Sequence, residues 1–320
     1  MKYSPAPIVC FAYSRPDHLK RMLSSLEKSQ LAQDSNLTCF INGADENTNK
    51  ANWLSVIDVI NQDWKFKSVT VNIRETNIGP KNNIINGISE MFKNHEKLII
   101  VEDDLILGPY FLEFLNEALD KYHHDKNIMH INGWAHPQII AKKNSTAISR
   151  YMSPWGWATW SDRWEFMTRD DNHILNKISN LSKKKKYLFN MYGKVDWEGM
   201  IIRDQKKIDN TWDCYWYQAI YMNDGMTVFP YKTHVINDGF DGTGEHCGKK
   251  IDNYPYDKEF NLNKTKKFQD NTSRSSFVYN TNLRLFNNKM FLYDYLSFHK
   301  DKFTSLNNLK KFLKKKFLNV

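Results

Sequence analysis

Residues 98–104 read LIIVEDD, four apolar residues followed at once by three acids. An uninterrupted apolar run of this length predicts a strand that is buried on both faces. Glu102, Asp103 and Asp104 then lie at the carboxyl end of the strand, where open α/β sheets bind ligands. Adjacent carboxylates repel one another unless a cation lies between them, and hard oxygen ligands suit Mg²⁺ or Mn²⁺. The stretch therefore predicts an α/β sheet with a divalent-cation site at its edge, although a solvated acidic turn is the alternative.

Strand-like and helix-like segments alternate around this stretch. In front of it the sequence predicts strands at 8–12, 37–41 and 69–73, and helices from about 16, at 51–60 and at 84–92. Behind it we expect a helix at 110–122, a strand at 128–131 and a surface excursion at 139–149. Such alternation is typical of a sheet flanked by helices.

Length and composition favour a globular protein with a large core. The chain has 320 residues, 41% hydrophobic and 25% charged, which argues against wholesale disorder and against a multi-span membrane protein. Its 10 tryptophans and 16 tyrosines can fill a core, and such rings also stack on sugars and nucleobases. The aromatic content therefore favours a ligand-binding protein only weakly.

The positive charge is concentrated at the C-terminal end. Of the formal net charge of +9, residues 300–320 carry +6, from seven lysines and one aspartate, which leaves +3 for the rest. A nucleic-acid-binding face needs charge distributed through the fold, so we expect no nucleic-acid partner. Within this tail, apolar residues recur at spacings of three and four, at Leu306, Leu309, Leu313 and Phe317. The pattern predicts a helix that either docks on its own domain or, as we expect, binds an anionic membrane surface.

The N-terminal sequence indicates a cytoplasmic protein. Pro5 and Pro7 interrupt the apolar stretch that a signal peptide requires, and no run approaches 18 apolar residues. The four cysteines are scattered without a CxxC pair, which fits a reducing compartment. We expect a cytoplasmic protein that is peripheral at the inner face of the cell membrane.

The segment VEDDLILGPYFLEFL, residues 101–115, resembles the metal-binding segment of GT-A-type glycosyltransferases. It is similar to the Golgi N-acetylglucosaminyltransferases that begin N-glycan branching, and more similar to bacterial enzymes of capsule and O-antigen clusters. The resemblance covers about 250 residues and implies a GT-A-type (Rossmann-like) mixed sheet flanked by helices, with a C-terminal extension. It implies that Asp104 binds Mn²⁺ or Mg²⁺ and that Glu102 and Asp103 contact the donor.

Three more segments resemble donor-binding parts of the bacterial group, namely FAYSRPDHLKRML, INGADE and TNIGPKNN. In the family an acid usually binds uracil where this sequence has Asn42, and the nearest acid is Asp45, which leaves the base open. A UDP-sugar is the expected donor. The donor-binding residues that the resemblance implies are Arg15, Asn42, Asp45, Asn77 and Lys81. A surface charge is the alternative for Arg15, and a turn with a helix start is the alternative for Asn77 and Lys81.

Three segments in the second half resemble further parts of the same family, namely a loop over donor and acceptor, the segment of the catalytic base, and a glycine-rich segment over the phosphates. The loop PWGWATW implies a cleft lined by Trp155, Gly156 and Trp157, and we expect at least one of its tryptophans to pack in the core. The segment TWDCYW implies that Asp213, between Trp212 and Trp216, is the catalytic base of an inverting transfer, with Asp196 and Glu198 as weaker alternatives. In NDGFDGTGEHC, His246 is implied as a metal or diphosphate ligand, and a structural histidine is the alternative.

The expected organisation is a domain over 1–255, divided into a nucleotide-sugar half (1–135) and an acceptor half (136–255). A C-terminal extension (256–299) and the basic tail (300–320) follow. The expected activity is metal-dependent hexosyl or N-acetylhexosaminyl transfer to a hydroxyl of a bacterial surface glycan or lipid-linked glycan, as in capsule, O-antigen, lipopolysaccharide or lipooligosaccharide. A sugar nucleotidyltransferase and a non-catalytic carbohydrate-binding protein remain the alternatives.

Overall fold

The computed structural model describes residues 4–135, 145–167, 171–193, 195–244 and 260–270. His246, the tail 300–320 and most of the extension 256–299 lie outside the described residues.

Within the described residues, ten strands form a large sheet and a two-stranded ribbon. The strands are β1 (Ile8–Ala12), β2 (Asn36–Ile41), β3 (Ser68–Ile73), β4 (Lys97–Glu102), β5 (Leu105–Leu107), β6 (Ile128–Asn132), β7 (Thr146–Ser149), β8 (Trp157–Trp160), β9 (Met226–Pro230) and β10 (Val235–Asn237). The helices are α1 (Pro16–Leu26), α2 (Lys50–Ile60), α3 (Gly79–Met91), α4 (Phe111–Lys121), α5 (Ser161–Trp164), α6 (Asp171–Ser179), α7 (Lys183–Phe189), α8 (Trp197–Gln205) and α9 (Asp213–Met222).

The large sheet is mixed, with the strand order β3-β2-β1-β4-β8-β6-β9-β7. The first four strands in this order are parallel, and β8 runs antiparallel between β4 and β6. β9 is parallel to β6, and β7 closes the edge antiparallel to β9. This α/β sheet flanked by helices confirms the predicted fold class and is consistent with a GT-A-type, Rossmann-like arrangement.

Helices cover both faces of the sheet. In β1, Ile8 and Cys10 join the core beneath α1, α2 and α4, whereas Val9 and Phe11 join the core beneath α3 and α5 to α9. Successive side chains of a strand point to opposite faces, so a sheet covered on both sides needs apolar residues at every position. This requirement explains the uninterrupted apolar run of β4.

The first helix shows how closely the local pattern fixes an element. α1 begins at Pro16, whose restricted φ suits the first helical position, where no backbone donor is needed. Its apolar residues Leu19, Met22, Leu23 and Leu26 are all buried, as their helical spacing predicts.

Three sequence-based expectations differ from the structure. Residues 157–160, in the expected loop PWGWATW, form the strand β8 inside the large sheet. Residues 146–149, expected within a surface excursion, form the buried strand β7 by pairing with β9. Because β9 lies about 80 positions later in the chain, no local pattern indicates this pairing. The helix expected from residue 84 begins at Gly79, which has a φ of +76° that glycine readily adopts. In the described part of the chain, no helix combines the length and apolar content that a membrane span requires.

Both expected halves contribute strands to the large sheet, and residues 260–270 pack back onto it. The Asn261 amide donates to the Thr233 carbonyl at 2.7 Å, and Phe268 stacks on Phe114 with 5.8 Å between ring centroids. The described piece of the extension is therefore joined to the sheet domain.

Candidate active site

The acidic motif and Arg15 meet because β1 and β4 are parallel neighbours. Phe11 in β1 pairs with Glu102 in β4, so both strands end at the same edge of the sheet. Arg15 follows the end of β1, and Asp103 and Asp104 follow the end of β4. The carboxyl edge of the sheet thus brings one cation against two consecutive carboxylates.

The Arg15 guanidinium contacts both aspartates. Its Nε donates to Asp103 Oδ2 at 3.3 Å, and its Nη2 donates to Asp103 Oδ1 and, at 3.1 Å, to Asp104 Oδ2. Burial alone would lower the pKa of Arg15, but the charges of Asp103 and Asp104 outweigh it and raise this pKa. Arg15 therefore stays charged and offsets part of the acidic cluster.

The negative charge that Arg15 does not offset raises the pKa values of the carboxyl groups. Burial, followed by the charges of Asp104, Asp103 and Asp213, raises the pKa of Glu102 well above its ordinary value. Burial also raises the pKa of Asp103, although Arg15 opposes the shift. One internal cation therefore does not neutralise the cluster, which favours binding a further positive charge.

The glycine-rich segment, residues 237–244 in the structure, covers the acidic motif. The Asp238 amide donates to the backbone carbonyl of Asp104 at 2.8 Å, and Arg21 in α1 pairs with the Asp238 side chain at 2.6 Å. His18 Nε2 lies 3.2 Å from Asp241 Oδ2. A Cβ atom at Gly239 would lie 2.5 Å from Asp104 Oδ2, so glycine permits this close approach.

A hydrogen-bonded network of polar side chains, which we call the asparagine network, follows the ends of β2 and β3. The Asn77 side chain accepts from Asn42 Nδ2 at 2.6 Å, and its own Nδ2 donates to Asp45 Oδ2 at 2.8 Å and to Tyr13 Oη at 3.1 Å. Tyr13 in turn contacts Thr48. Hydrogen bonds, first of all from Thr48, lower the pKa of Asp45 and keep it ionised.

Asn42 is largely occupied inside this network. Its side-chain oxygen accepts from the backbone amides of Ile78 and Gly43, and the side chain is buried. A Cβ atom at Gly43 would lie 2.3 Å from the carbonyl carbon of Thr76, so glycine lets the two loops meet. These contacts favour Asn42 as an organiser of the loops, and they leave the more exposed Asp45 better placed to meet a ligand.

Lys81 is paired with a buried carboxylate. Its Nζ binds Asp204 Oδ2, and this aspartate also accepts from Tyr215 Oη and from the Thr211 amide. The Lys81 ammonium lies 5.4 Å from the centroid of the Tyr215 ring. These bonds tie α3 to α8 and α9, so they supply a structural role for the lysine that was predicted to bind the donor.

Asp213 is the first residue of α9, and it is partly exposed. Thr211 Oγ1 donates to Asp213 Oδ1, and the helix N-terminus stabilises a carboxylate at this position. Its charge contributes to the raised pKa of Glu102. A carboxylate from the second half of the chain therefore acts electrostatically on the acidic motif of the first half.

Three of the tryptophans predicted to line a cleft are core residues. Trp157 and Trp216 are fully buried and Trp212 nearly so, because β8 and α9 pack against each other through their rings. Trp157 stacks on Trp212 and on His130, with centroid separations of 5.5 Å and 4.9 Å, and Trp216 Nε1 donates to His130 Nδ1 at 3.1 Å. The packing fixes α9, and with it Asp213, and leaves no open stacking face on these rings.

Trp155 differs from those three because it is only partly buried. Its ring meets Trp134 and, from the glycine-rich segment, Phe240, both edge-on, at 4.8 Å and 5.7 Å between centroids. Gly156 has a φ of +62°, and its carbonyl accepts from the Gly133 amide at 2.7 Å. Of the predicted aromatic cleft residues, Trp155 alone retains an accessible surface.

The other two acids considered as bases are engaged elsewhere. Asp196 caps α8 by accepting from the Gly199 amide at 3.1 Å and pairs with Arg203 at 3.1 Å. Glu198 pairs with Lys186 at 2.9 Å. Asp213 is among the largest causes of the raised pKa of Glu102, and the other two acids are held in these ion pairs, so Asp213 is the better placed of the three.

The described residues do not form a metal site made of protein alone. Among them, no group of three or more histidine, cysteine, aspartate or glutamate side chains could hold a metal ion. Mg²⁺ is commonly held by one or two carboxylates together with substrate phosphates. Asp104 offers a partly exposed hard oxygen, and the buried Nη1 of Arg15 lacks a partner in the described residues. This donor set fits a divalent cation shared with a phosphate-bearing ligand.

Several residues at the site escape sequence reasoning. Tyr13 and Thr48 complete the asparagine network, and Asp204 and Thr211 support Lys81 and Asp213. Tyr13 directly follows the end of β1, and this position at the carboxyl edge of the sheet is a sequence signal that predicts a place in the site. Asp204 gives no local signal, because its partners come from two other elements.

No protein-family model matches the sequence, and no curated protein matches it. Among solved structures, the chain is similar to TarS of S. aureus, with 16% sequence identity and a TM-score of 0.36. The match covers 49% of this chain and 28% of that chain, so this chain spans less than a third of TarS. The function of the candidate site is therefore inferred from its own residues.

Proposed function

We propose that this protein is a metal-dependent inverting glycosyltransferase that transfers a sugar from a UDP-sugar to a hydroxyl of a bacterial surface glycan. One observation carries the proposal. Asp103 and Asp104 meet Arg15 at the carboxyl edge of the sheet, and Asp213 from the other half adds its charge to the same cluster.

On the donor side, Asp104 would hold the divalent cation and Arg15 would bind the diphosphate. A bound Mn²⁺ or Mg²⁺ neutralises negative charge that develops on a departing diphosphate. Arg15 supplies a planar guanidinium that suits phosphate oxygens, and one of its nitrogens has no partner in the described residues. The asparagine network, with the ionised Asp45 on its exposed side, would meet the nucleoside.

On the acceptor side, Asp213 would act as general base. The acceptor oxygen forms a bond to the anomeric carbon while the bond from that carbon to the diphosphate oxygen breaks, and the bonding electron pair leaves with the diphosphate. The hydroxyl proton passes to Asp213. Attack from the face opposite the leaving group inverts the anomeric configuration. The partly exposed Trp155 would offer a stacking face to a sugar ring.

The acceptor class rests on the sequence resemblance to enzymes of bacterial surface glycans, with a hexosyl or N-acetylhexosaminyl group as the transferred sugar. The basic tail 300–320 supports a location at an anionic membrane, where lysines near the surface each contribute about 1 kcal/mol. Co-sedimentation with vesicles of phosphatidylglycerol and phosphatidylcholine tests this location. Binding that weakens with salt and disappears in a chain ending at residue 299 is expected, and equal pelleting of both chains would reject the tail as an anchor.

The proposed activity is tested by incubating the protein with Mn²⁺ and a panel of nucleotide sugars. We expect binding and slow hydrolysis of one or a few UDP-sugars, both dependent on Mn²⁺. A nucleotidyltransferase would instead release pyrophosphate from a nucleoside triphosphate and a sugar 1-phosphate, although the loop Ser14-Arg15-Pro16-Asp17 lacks the glycines typical of that class. A carbohydrate-binding protein would retain glycans on an affinity column and bind no nucleotide sugar.

A further inference from the structure

Arg15 holds its two carboxylate partners unequally. Asp103 uses both of its oxygens on the guanidinium, and its side chain is 6% exposed. Asp104 uses one oxygen, at 3.1 Å, and its side chain is 19% exposed. The same Nη2 serves both aspartates, so the bond to Asp104 is the weaker and more accessible of the two contacts. Arg15 is therefore held mainly by its two hydrogen bonds to Asp103, and its single bond to Asp104 is the easier one to break.

The guanidinium also has an unused donor. Its Nη1 is buried and has no hydrogen-bond partner within the described residues. A buried donor without an acceptor is costly, and in native proteins it commonly marks a place for a ligand or an ordered water. Both oxygens of Asp103 are already bound to Nε and Nη2, and the one Asp104 oxygen in contact is bound to Nη2. An acceptor supplied by a ligand would complete the guanidinium.

We propose that Arg15 is an exchangeable counter-ion, which remains on Asp103 but yields Asp104 to a divalent cation when a diphosphate provides the acceptor for its Nη1. The inference rests on the proposed function and assigns different tasks to the two consecutive aspartates. Asp103 is the positioning residue of Arg15, and Asp104 is the carboxylate for which guanidinium and metal compete.

The competition has a thermodynamic consequence. In the absence of nucleotide, a divalent cation must displace the guanidinium from Asp104, so it binds weakly. A diphosphate offers oxygens both to the cation and to Nη1, so it lowers the free energy of the exchanged state. By linkage, the cation and the diphosphate strengthen each other's binding by the same factor. Removing the guanidinium should therefore change the two affinities in opposite directions.

The test measures binding of MnCl₂ by titration calorimetry and by the electron paramagnetic resonance signal of free Mn²⁺, with and without UDP, in the full chain. In Arg15→Met, Mn²⁺ alone should bind at least about tenfold more tightly than in the wild type, while UDP at fixed Mn²⁺ should bind at least about tenfold more weakly, each factor corresponding to about 1.4 kcal/mol. Arg15→Lys keeps the positive charge without the fork, so its affinity for Mn²⁺ alone should stay nearer to that of the wild type.

Arg203→Met is the matched control. Arg203 in α8 also lies between two aspartates, with Nη1 3.1 Å from Asp196 and Nε 2.8 Å from Asp209, but its side chain is exposed and contacts neither Asp103 nor Asp104 in these bonds. Its loss should leave both affinities unchanged. If Arg15→Met binds Mn²⁺ no more tightly than the wild type does, or if Arg203→Met shows the same gain, the exchange is overturned and the proposed function stands. A disrupted fold would weaken both ligands, and no Mn²⁺ or UDP binding in any variant would overturn the proposed function as well.

Discussion

Two cation–carboxylate clusters of this protein look alike and are completed differently. Asp204 accepts from Lys81, Tyr215 and Thr211, so both oxygens are used and the cluster joins three elements. At Asp103 and Asp104, by contrast, Arg15 keeps an unused donor and neighbouring acids keep raised pKa values. A buried charge whose partners are complete needs no ligand, and removing one of its partners destabilises the fold. A cluster left incomplete, in the same kind of burial, points to a ligand.

Asp213 is the proposed general base, so its replacement gives the largest expected effect. Asp213→Asn preserves the shape and the hydrogen bond from Thr211, and it should reduce transfer by about two to four orders of magnitude with UDP affinity unchanged. Steady-state transfer and calorimetric UDP binding measure the two quantities. Glu198→Gln is the control and should transfer normally.

Near-normal transfer by Asp213→Asn would remove this residue as the base and bring Glu198 or Asp196 forward. A product of retained anomeric configuration, observed by NMR, would reject the inverting mechanism itself.

Lys81→Met tests whether the complete cluster around Asp204 stabilises the fold. It leaves the buried carboxylate of Asp204 without its cation, and it should lower the free energy of unfolding by about 3 kcal/mol, the lower end for a broken buried pair because Lys81 is partly exposed. Urea denaturation measures the loss. The double variant with Asp204→Asn should recover part of it.

If Lys81→Met instead keeps its stability and loses UDP affinity, the lysine is a donor contact and the two clusters are functionally alike.

Asp104→Ala tests the incomplete cluster. It removes the carboxylate best placed to hold the cation, and it should weaken Mn²⁺-dependent UDP binding at least about a hundredfold, at the upper end of effects seen for groups that merely support a ligand. The urea midpoint should remain near that of the wild type. Titration calorimetry with unchanged UDP affinity and unchanged Mn²⁺ dependence would remove the metal assignment.

His234 provides a buried titratable group with no charged partner, and the smallest expected effect. Burial lowers its pKa to about 3 from an ordinary value of 6.5, and neither ring nitrogen has a hydrogen-bond partner in the described residues. Because the unfolded chain binds the proton first, stability is lost as pH falls below about 6.5. Between about pH 7.5 and about pH 5, the wild type should lose about 2 kcal/mol more than His234→Phe, which keeps the ring on Phe114. Equal losses in urea denaturation would contradict this.

The first third of the fold could be predicted because its signals are local. β1 begins and ends at the predicted residues, and α1 buries the four apolar residues that its spacing singled out. β8 gave no such signal. Its four residues WATW lie in a loop-like context, and they become a central strand only because β4 and β6, both far away in the chain, bind its two edges.

Some contacts of the candidate site could likewise be predicted from local sequence patterns, and others could not. The meeting of Arg15 with Asp104 follows from two parallel strand ends, which a sequence pattern can place. The burial of Trp157, the pairing of Lys81 with Asp204 and the contact between Thr211 and Asp213 depend on how α8 and α9 pack, which no local pattern determines.

The reversed strand β8 also orders events during synthesis. It occupies the gap between β4 and β6, which begin 60 and 29 positions earlier in the chain. A ribosome that has released only the first 135 residues therefore presents the four strands β3, β2, β1 and β4 with the outer edge of β4 unpaired, and β6 as a single strand whose two neighbours are still to come. Such edges are prone to pairing with other chains until residue 160 has emerged. We therefore expect that residues 1–135 do not fold on their own, and that a truncation at residue 135 aggregates.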